Sequence, residues 1–298
     1  MRKTGVVALV LASVLWGTTG TAATGMPASV SPVAVGAATM TIGGLLLAAT
    51  SFRGVLSVLR EPGSRGWILA GAVGVFSYPL AFYSSMNLAG VAIGNVVSLG
   101  SGPVFAALLE WVVERRQPTR LWLGCAAAAI VGVALLAFTG RAGVEGSPGH
   151  GSVTVGVLLG LLAGLSYAFY TYASSRAMHG RANSRAVVGS MFGVGAVALL
   201  PVLLATGGPL LQSPTTIGIT AYLALGPMFV AYLLFGIGLR TIRSSMATTI
   251  TLIEPVVATV LAVLVVGERL SATGWAGLAV ILGAVCVLVA ARLPGKIG

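Results

Sequence analysis

The chain has 298 residues, 57% of them hydrophobic and 8% charged, with a formal net charge of +11. A soluble domain carries about 25% charged residues, so this composition, with its mean hydropathy of +1.00, excludes an ordinary water-soluble surface. The basic residues sit in short clusters between long apolar runs and never form a basic face interleaved with aromatics, which excludes nucleic acid as the partner.

A membrane-spanning helix needs roughly 17–25 apolar residues, and that length predicts ten spans. The first, about 5–25, follows Arg2 and Lys3 and carries Trp16 near its centre. Its tail, Thr21-Ala22-Ala23, looks like a signal-peptide cleavage site, but the segment aligns with the sixth span and is expected to be retained. The second covers about 32–52. The third, about 67–87, has Tyr78 near its middle and Tyr83 beyond it. The fourth, about 91–113, holds Asn95, Ser98, Gly100, Ser101, Gly102 and Pro103, and the fifth covers about 121–139. Gly140–Ser152 is polar and glycine-rich and reads as a connector. Beyond it the sixth span, about 154–173, carries Tyr167 and Tyr170; the seventh covers about 187–206. Tyr232 lies in the eighth, about 217–238, and Glu254 and Pro255 in the ninth, about 244–266; the tenth is about 271–291.

Cytoplasmic loops of membrane proteins carry an excess of Lys and Arg. With the amino terminus inside, Arg2, Lys3, Arg53, Arg60, Arg65, Arg115, Arg116, Arg120, Arg176, Arg181, Arg185, Arg240, Arg243, Arg292 and Lys296 fall on the cytoplasmic side, 15 residues against Arg141 and Arg269 outside. Both termini are therefore expected in the cytoplasm. Cys125 and Cys286 each lie within an apolar run and read as packing residues.

The chain also repeats itself. Glu254-Pro255-Val256-Val257-Ala258, then Val266-Gly267-Glu268-Arg269 and Trp275-Ala276-Gly277, echo Gly102-Pro103-Val104-Phe105-Ala106, then Val113-Glu114-Arg115-Arg116 and Trp122-Leu123-Gly124. Gly74 falls on Gly226 at nearly the same offset, and Ala12 and Trp16 fall on Ala163 and Tyr167. Five spans separate each element from its copy, so the second half enters the bilayer upside down. Such inverted repeats are an architecture of transporters. The expected layout is a first repeat over 1–139, an outer connector over 140–153 and an inverted second repeat over 154–298, together one all-α membrane domain.

Enzyme readings find no support. Without aspartate there is no aspartate-rich diphosphate–magnesium motif, and His150 and His179 fall in loops on opposite sides of the membrane. Gly193-x-Gly195-x-x-Ala198 echoes a dinucleotide fingerprint, but it lies inside a span with no strand before it. There is no phosphate-binding loop. No cofactor or metal is expected, and an ATP-driven mechanism would need another subunit.

The carboxy-terminal half, with Ser244-Ser245-Met246-Ala247, Leu252-Ile253-Glu254-Pro255-Val256-Val257-Ala258, Gly267-Glu268-Arg269-Leu270 and Trp275-Ala276-Gly277, resembles the second repeat of EamA-type proteins of the drug/metabolite transporter superfamily. The first half fits through Ala81-Phe82-Tyr83-Ser84-Ser85, Pro103 and Glu114-Arg115, although Gly102 replaces the acid before proline. Within that family the chain is most similar to bacterial exporters of aromatic and other amino acids, the YddG type. The resemblance implies ten helices around a central cavity that opens alternately to each side.

Candidate binding residues follow from depth. Trp67, Trp111, Trp122 and Trp275 fall near span ends, where an aromatic belt is expected. Trp16, Tyr78 and Tyr167 fall near span centres, where a phenol facing lipid would lack a hydrogen-bond partner. They are expected to face the interior, either lining a cavity or packing between helices, with Tyr83, Tyr170 and Tyr232 as further candidates. Aromatic faces with hydroxyl tips suit a small zwitterion with an apolar side chain. Pro103, beside Asn95, Ser98 and Ser101, and Pro255, beside Thr248, Thr249 and Thr251, are expected to kink their helices and free backbone groups. Glu254 is the one acid well inside a span and has no cation at its depth. Coupling to protons, structural hydrogen bonding at the kink and contact with a wet cavity all remain open for it.

The expected molecule is a multi-pass carrier of the bacterial inner membrane. It exports small metabolites, above all amino acids including aromatic ones, without ATP. Its partners are the lipid bilayer and a small-molecule substrate, and a monomer suffices. The alternatives are a carrier for other organic solutes or cationic drugs, and a membrane-embedded protein that transports nothing.

Overall fold

The computed structural model describes residues 2–23, 25–89, 91–115, 118–140, 153–178, 183–266 and 272–290. The connector over 141–152, His150, His179, Arg141, Arg181 and the Gly267-Glu268-Arg269 stretch lie outside them. The described residues form helices α1 Arg2–Ala23, α2 Pro32–Ala49, α3 Phe52–Arg60, α4 Pro62–Ala89, α5 Val91–Glu114, α6 Arg120–Gly140 and α7 Val153–Ala177. There follow α8 Ser184–Thr206, α9 Pro214–Leu223, α10 Ala231–Leu239, α11 Ser244–Ile250, α12 Ile253–Leu261 and α13 Ala272–Ala290.

Among these residues eight helical runs are long and apolar enough to cross a membrane; the apolar cores of α6 and α13, Arg120–Gly132 and Ala272–Ala284, are shorter. Local chemistry fixes several starts. Ser31 caps α2, its hydroxyl accepting from the Ala34 amide at 3.1 Å, with Pro32 in the first turn, where a missing N–H costs nothing. Ser213 and Thr216 form a capping box at α9, and Asn183 caps α8.

The expected second span ends early, at Ala49, and residues counted as its tail and loop form α3. This short helix is amphipathic. Val55 and Val58 are buried, Arg53 and Arg60 are exposed, and Phe52 is 61% exposed. Its buried face packs against α8 and α4.

Small residues set the closest contacts, as expected between helices in lipid. A Cβ on Gly44 of α2 would stand 2.6 Å from the Phe192 carbonyl oxygen, and one on Gly189 of α8 would stand 2.6 Å from that of Leu47. Around this α2–α8 seam the main core gathers α1, α4, α7, α10 and α11. A second core joins α6, α13, α5 and α12 through Leu99, Trp122, Cys125, Leu252 and Ile281. Trp111 and Trp275 are half exposed, whereas Trp122 is buried, and Trp67 packs edge-on to Tyr172 at 5.8 Å beneath the Arg176 guanidinium. Position near a span end does not by itself put a tryptophan on lipid.

Candidate functional site

Pro255 shapes the ninth apolar run. Lacking an N–H and crowding the carbonyl four residues back, a proline disrupts the turn before it. Here that carbonyl belongs to Thr251, and the helix breaks at Thr251–Leu252, between α11 and α12. The Leu252 amide turns to the Thr249 carbonyl at 3.2 Å, and the Glu254 amide to that of Thr251 at 2.9 Å. The Thr251 hydroxyl bonds the Thr248 carbonyl and shares a 2.8 Å hydrogen bond with the Tyr167 hydroxyl. By contrast α5 stays helical through Pro103.

A second irregularity was not legible beforehand. Ala224–Val230, around Pro227, winds as a π-helix, and the Trp16 indole N–H reaches across from α1 to the Pro227 carbonyl at 2.8 Å. Single-turn π segments often mark functional positions. Ala262–Val266 is another.

These two features frame an aromatic cluster. Trp16 meets Tyr232 and Phe235 edge-on at 5.0 and 5.3 Å. Tyr170 and Tyr232 join hydroxyls at 2.8 Å, and Phe192 packs against Tyr232 at 4.3 Å. Tyr78 lies 6.0 Å from Tyr167 and 6.1 Å from Tyr170, and it stacks on Phe82 at 5.3 Å, which in turn touches Tyr83. So Trp16, Tyr78, Tyr83, Tyr167, Tyr170 and Tyr232 come together in one network drawn from α1, α4, α7 and α10. Sequence reasoning missed Phe82, Phe192 and Phe235. Phe82 lies one helical turn from Tyr78, and Phe235 three residues from Tyr232, so helical spacing from the tyrosines was the available signal.

The polar tips divide into two groups. Trp16, Tyr167, Tyr170 and Tyr232 are buried and hydrogen-bonded. The Tyr78 and Tyr83 hydroxyls and the Glu254 carboxylate have no hydrogen-bond partner among the described residues, and all three side chains keep accessible surface. Glu254 lies within electrostatic reach of Tyr78, Tyr83, Tyr167 and Tyr232.

Ser98 and Ser101 lie on α5 just before Gly102, where a Cβ would stand 3.0 Å from the Tyr167 ring. They press against α7, where a Cβ on Gly164 would collide with the Ser101 hydroxyl and stand 2.7 Å from the Ser98 carbonyl oxygen. The helices touch closely there, and the buried Ser98 hydroxyl has no hydrogen-bond partner among the described residues. The Asn95 side chain lies outside the described residues. An apolar groove of about 310 Å³ between α2, α3 and α8, lined by Leu45, Val55, Gly189 and Val197 among others, is separate from the aromatic cluster.

Carboxylates close the arginine-bearing end. Glu110 of α5 accepts from the Ser244 hydroxyl at 2.7 Å and from the Ser245 amide and hydroxyl at 2.9 and 2.8 Å. Glu114 accepts from the Tyr172 hydroxyl at 3.2 Å and pairs with Arg176 at 3.5 Å. The donors to Glu110 come from the other half of the chain. No three His, Cys, Asp or Glu side chains gather among the described residues.

The model of the EamA-like transporter family matches the chain twice, over residues 3–138 and 154–290. The uncharacterized transporter YwfM of Bacillus subtilis (strain 168) is 33% identical over 294 residues, covering 97% of this chain and 94% of that protein. An uncharacterized transporter of Archaeoglobus fulgidus is 31% identical over 140 residues, 46% of this chain and 49% of its own. A crystal structure with 23% identity has the same fold, at a TM-score of 0.80 over 99% of this chain and 100% of that one.

Proposed function

The chain belongs to the EamA-like transporter family, and from that membership we propose that it is a secondary carrier exporting small metabolites, amino acids including aromatic ones, by alternating access through a central site. The observation that carries the reading is the group of tips with no hydrogen-bond partner among the described residues. Tyr78, Tyr83 and Glu254 keep accessible surface inside a cluster whose other polar groups are satisfied. Groups that serve only to pack are normally paired when buried; free ones around aromatic faces await a ligand.

Ten spans, arranged as five plus five with the halves inverted and both termini in the cytoplasm of a bacterial inner membrane, fit this mechanism. Three observations support that layout. The family domain matches twice in succession. Basic residues segregate to alternate turns. The helix contacts also survive exchange of the halves: α1 with α10 corresponds to α7 with α4, α1 with α12 to α7 with α5, and α2–α8 and α6–α13 to themselves. The Glu110 and Glu114 contacts then form a cytoplasmic seal between halves that must part in each cycle.

Counterflow in proteoliposomes tests the reading. Vesicles loaded with unlabelled phenylalanine should transiently concentrate labelled phenylalanine from outside. A sealed vesicle that exchanges no amino acid of a full panel contradicts the amino-acid reading, and one that exchanges no small solute contradicts the carrier.

A further inference from the structure

We propose that Glu254 is the counter-charge for the substrate's ammonium group, so that the central site selects molecules pairing a primary ammonium with an aromatic or apolar body. The inference rests on the carrier reading above for the identity of the site. It gives Glu254 a direct binding role in place of a structural one.

Three features of the carboxylate lead there. First, it does not serve the helix break beside it: the Leu252 and Glu254 amides are already taken by the Thr249 and Thr251 carbonyls, and Thr251 is occupied by Tyr167 and Thr248. A structural acceptor at a kink would hold such donors. Second, no hydrogen bond or ion pair reaches it among the described residues, although it keeps accessible surface. A carboxylate away from bulk water is either neutralised by a proton or matched by a compensating partner, and a substrate ammonium beside it would be that partner. Third, aromatic rings lie close by: the Tyr167 hydroxyl bonds Thr251, three residues before Glu254, and the Tyr167 ring lies 6.0 Å from that of Tyr78. Tyr78, Tyr83, Tyr167 and Tyr232 stand within its electrostatic reach. Ring faces attract cations and bury apolar groups. Carboxylate and rings together therefore describe an ammonium joined to an apolar body.

The two halves differ at this point, which sets the stoichiometry. Where the second half has Glu254 before Pro255, the first has Gly102 before Pro103, and a Cβ on Gly102 would stand 3.0 Å from the Tyr167 ring. The tyrosine occupies the room an acid would need. One acid per site means one ammonium per transport event.

Three probes separate the claims: phenylalanine, phenethylamine, which keeps ring and ammonium, and N-acetylphenylalanine, which keeps ring and carboxylate but has no ammonium. Binding to the full chain in lipid nanodiscs is measured by calorimetry for the parent, Glu254→Gln and Glu254→Asp. The expected result is binding of the first two, with N-acetylphenylalanine weaker by about tenfold or more, the scale of one charge-assisted bond. Glu254→Gln should weaken both ammonium probes by a similar factor, and Glu254→Asp should restore most of that loss. N-acetylphenylalanine binding as tightly as phenylalanine, undiminished binding by Glu254→Gln, or no binding of either ammonium probe to the folded parent overturns the proposal. Because the probe contrast is read on the parent, it stands even where a variant fails to fold. Counterflow of labelled phenylalanine, run beside it, keeps the two readings apart. A parent that binds without exchanging removes the carrier and leaves the Glu254 assignment. One that exchanges N-acetylphenylalanine as fast as phenylalanine keeps the carrier and removes the assignment.

Discussion

Tyr170 and Tyr78 are the same residue type in the same cluster, and their hydroxyls do different work. That of Tyr170 is spent on Tyr232 at 2.8 Å, while that of Tyr78 has no partner among the described residues. Tyr170→Phe should therefore lower stability by about 1 kcal/mol with a minor effect on counterflow. Tyr78→Phe should leave the melting temperature nearly unchanged and slow transport; a reversal of the two effects would make Tyr170 the ligand contact and Tyr78 the scaffold. Trp16→Phe removes the donor to Pro227 and again costs about 1 kcal/mol, whereas Trp111→Ala, on a half-exposed ring, should be silent in both assays. The six expected aromatics were legible because a polar tip at mid-span must find a partner. The same logic was blind to Phe82, Phe192 and Phe235, which have no tip to satisfy, and it could not divide the tyrosines into bonded and free. Ser98 and Ser101 were singled out for their hydroxyls; that Gly164 of α7 lies against both is a contact only the fold brings together.

At the scale of elements, the two prolines expected to kink their helices sit in different surroundings. Pro255 coincides with a break four residues upstream, while α5 continues through Pro103. A proline fixes which hydrogen bond is lost, but neighbouring packing decides whether the helix yields. The π segment at Pro227 was hidden for the same reason. Helix seams make sharper predictions. Gly189→Ala places a methyl against the Leu47 backbone and should destabilise by about 1–3 kcal/mol, whereas Gly218→Ala and Gly283→Ala, which meet nothing within 4 Å, should not. Thermal unfolding in detergent distinguishes them, and equal losses would mean that α2 and α8 can move apart at little cost. The Glu110 contacts predict a conformational effect. Glu110→Ala strands the Ser245 amide and removes the seal between α5 and α11. A cysteine at Thr248, 1% exposed in the sealed form, should then react faster with a small thiol reagent than in the Glu110 parent. Unchanged reactivity would make Glu110 a cap on α11 and nothing more.

For the whole molecule, the repeat was readable because proline, tryptophan and glycine landmarks recur in order, and the double match of the family domain follows the same division. The proposed direction of each half rests on charge alone, since apolar length says where a helix crosses and nothing about which way. The short helix α3 escaped because nine residues with buried Val55 and Val58 and exposed arginines look like the frayed end of a span plus a loop. Alternating access rests on the inversion of the halves, and corresponding turns test it directly. On the proposed ten-span layout, Ser57 lies between the second and third spans of the first half, and Gln212 between the seventh and eighth, the matching place in the second half. In a background lacking Cys125 and Cys286, single cysteines at Ser57 and Gln212 are exposed to a membrane-impermeant maleimide on intact and on opened cells. An inverted carrier predicts that the cysteine at Gln212 labels from outside on intact cells, and that the one at Ser57 labels only once the cells are opened. Labelling of both from the same side would contradict the inversion and the alternating-access mechanism built on it.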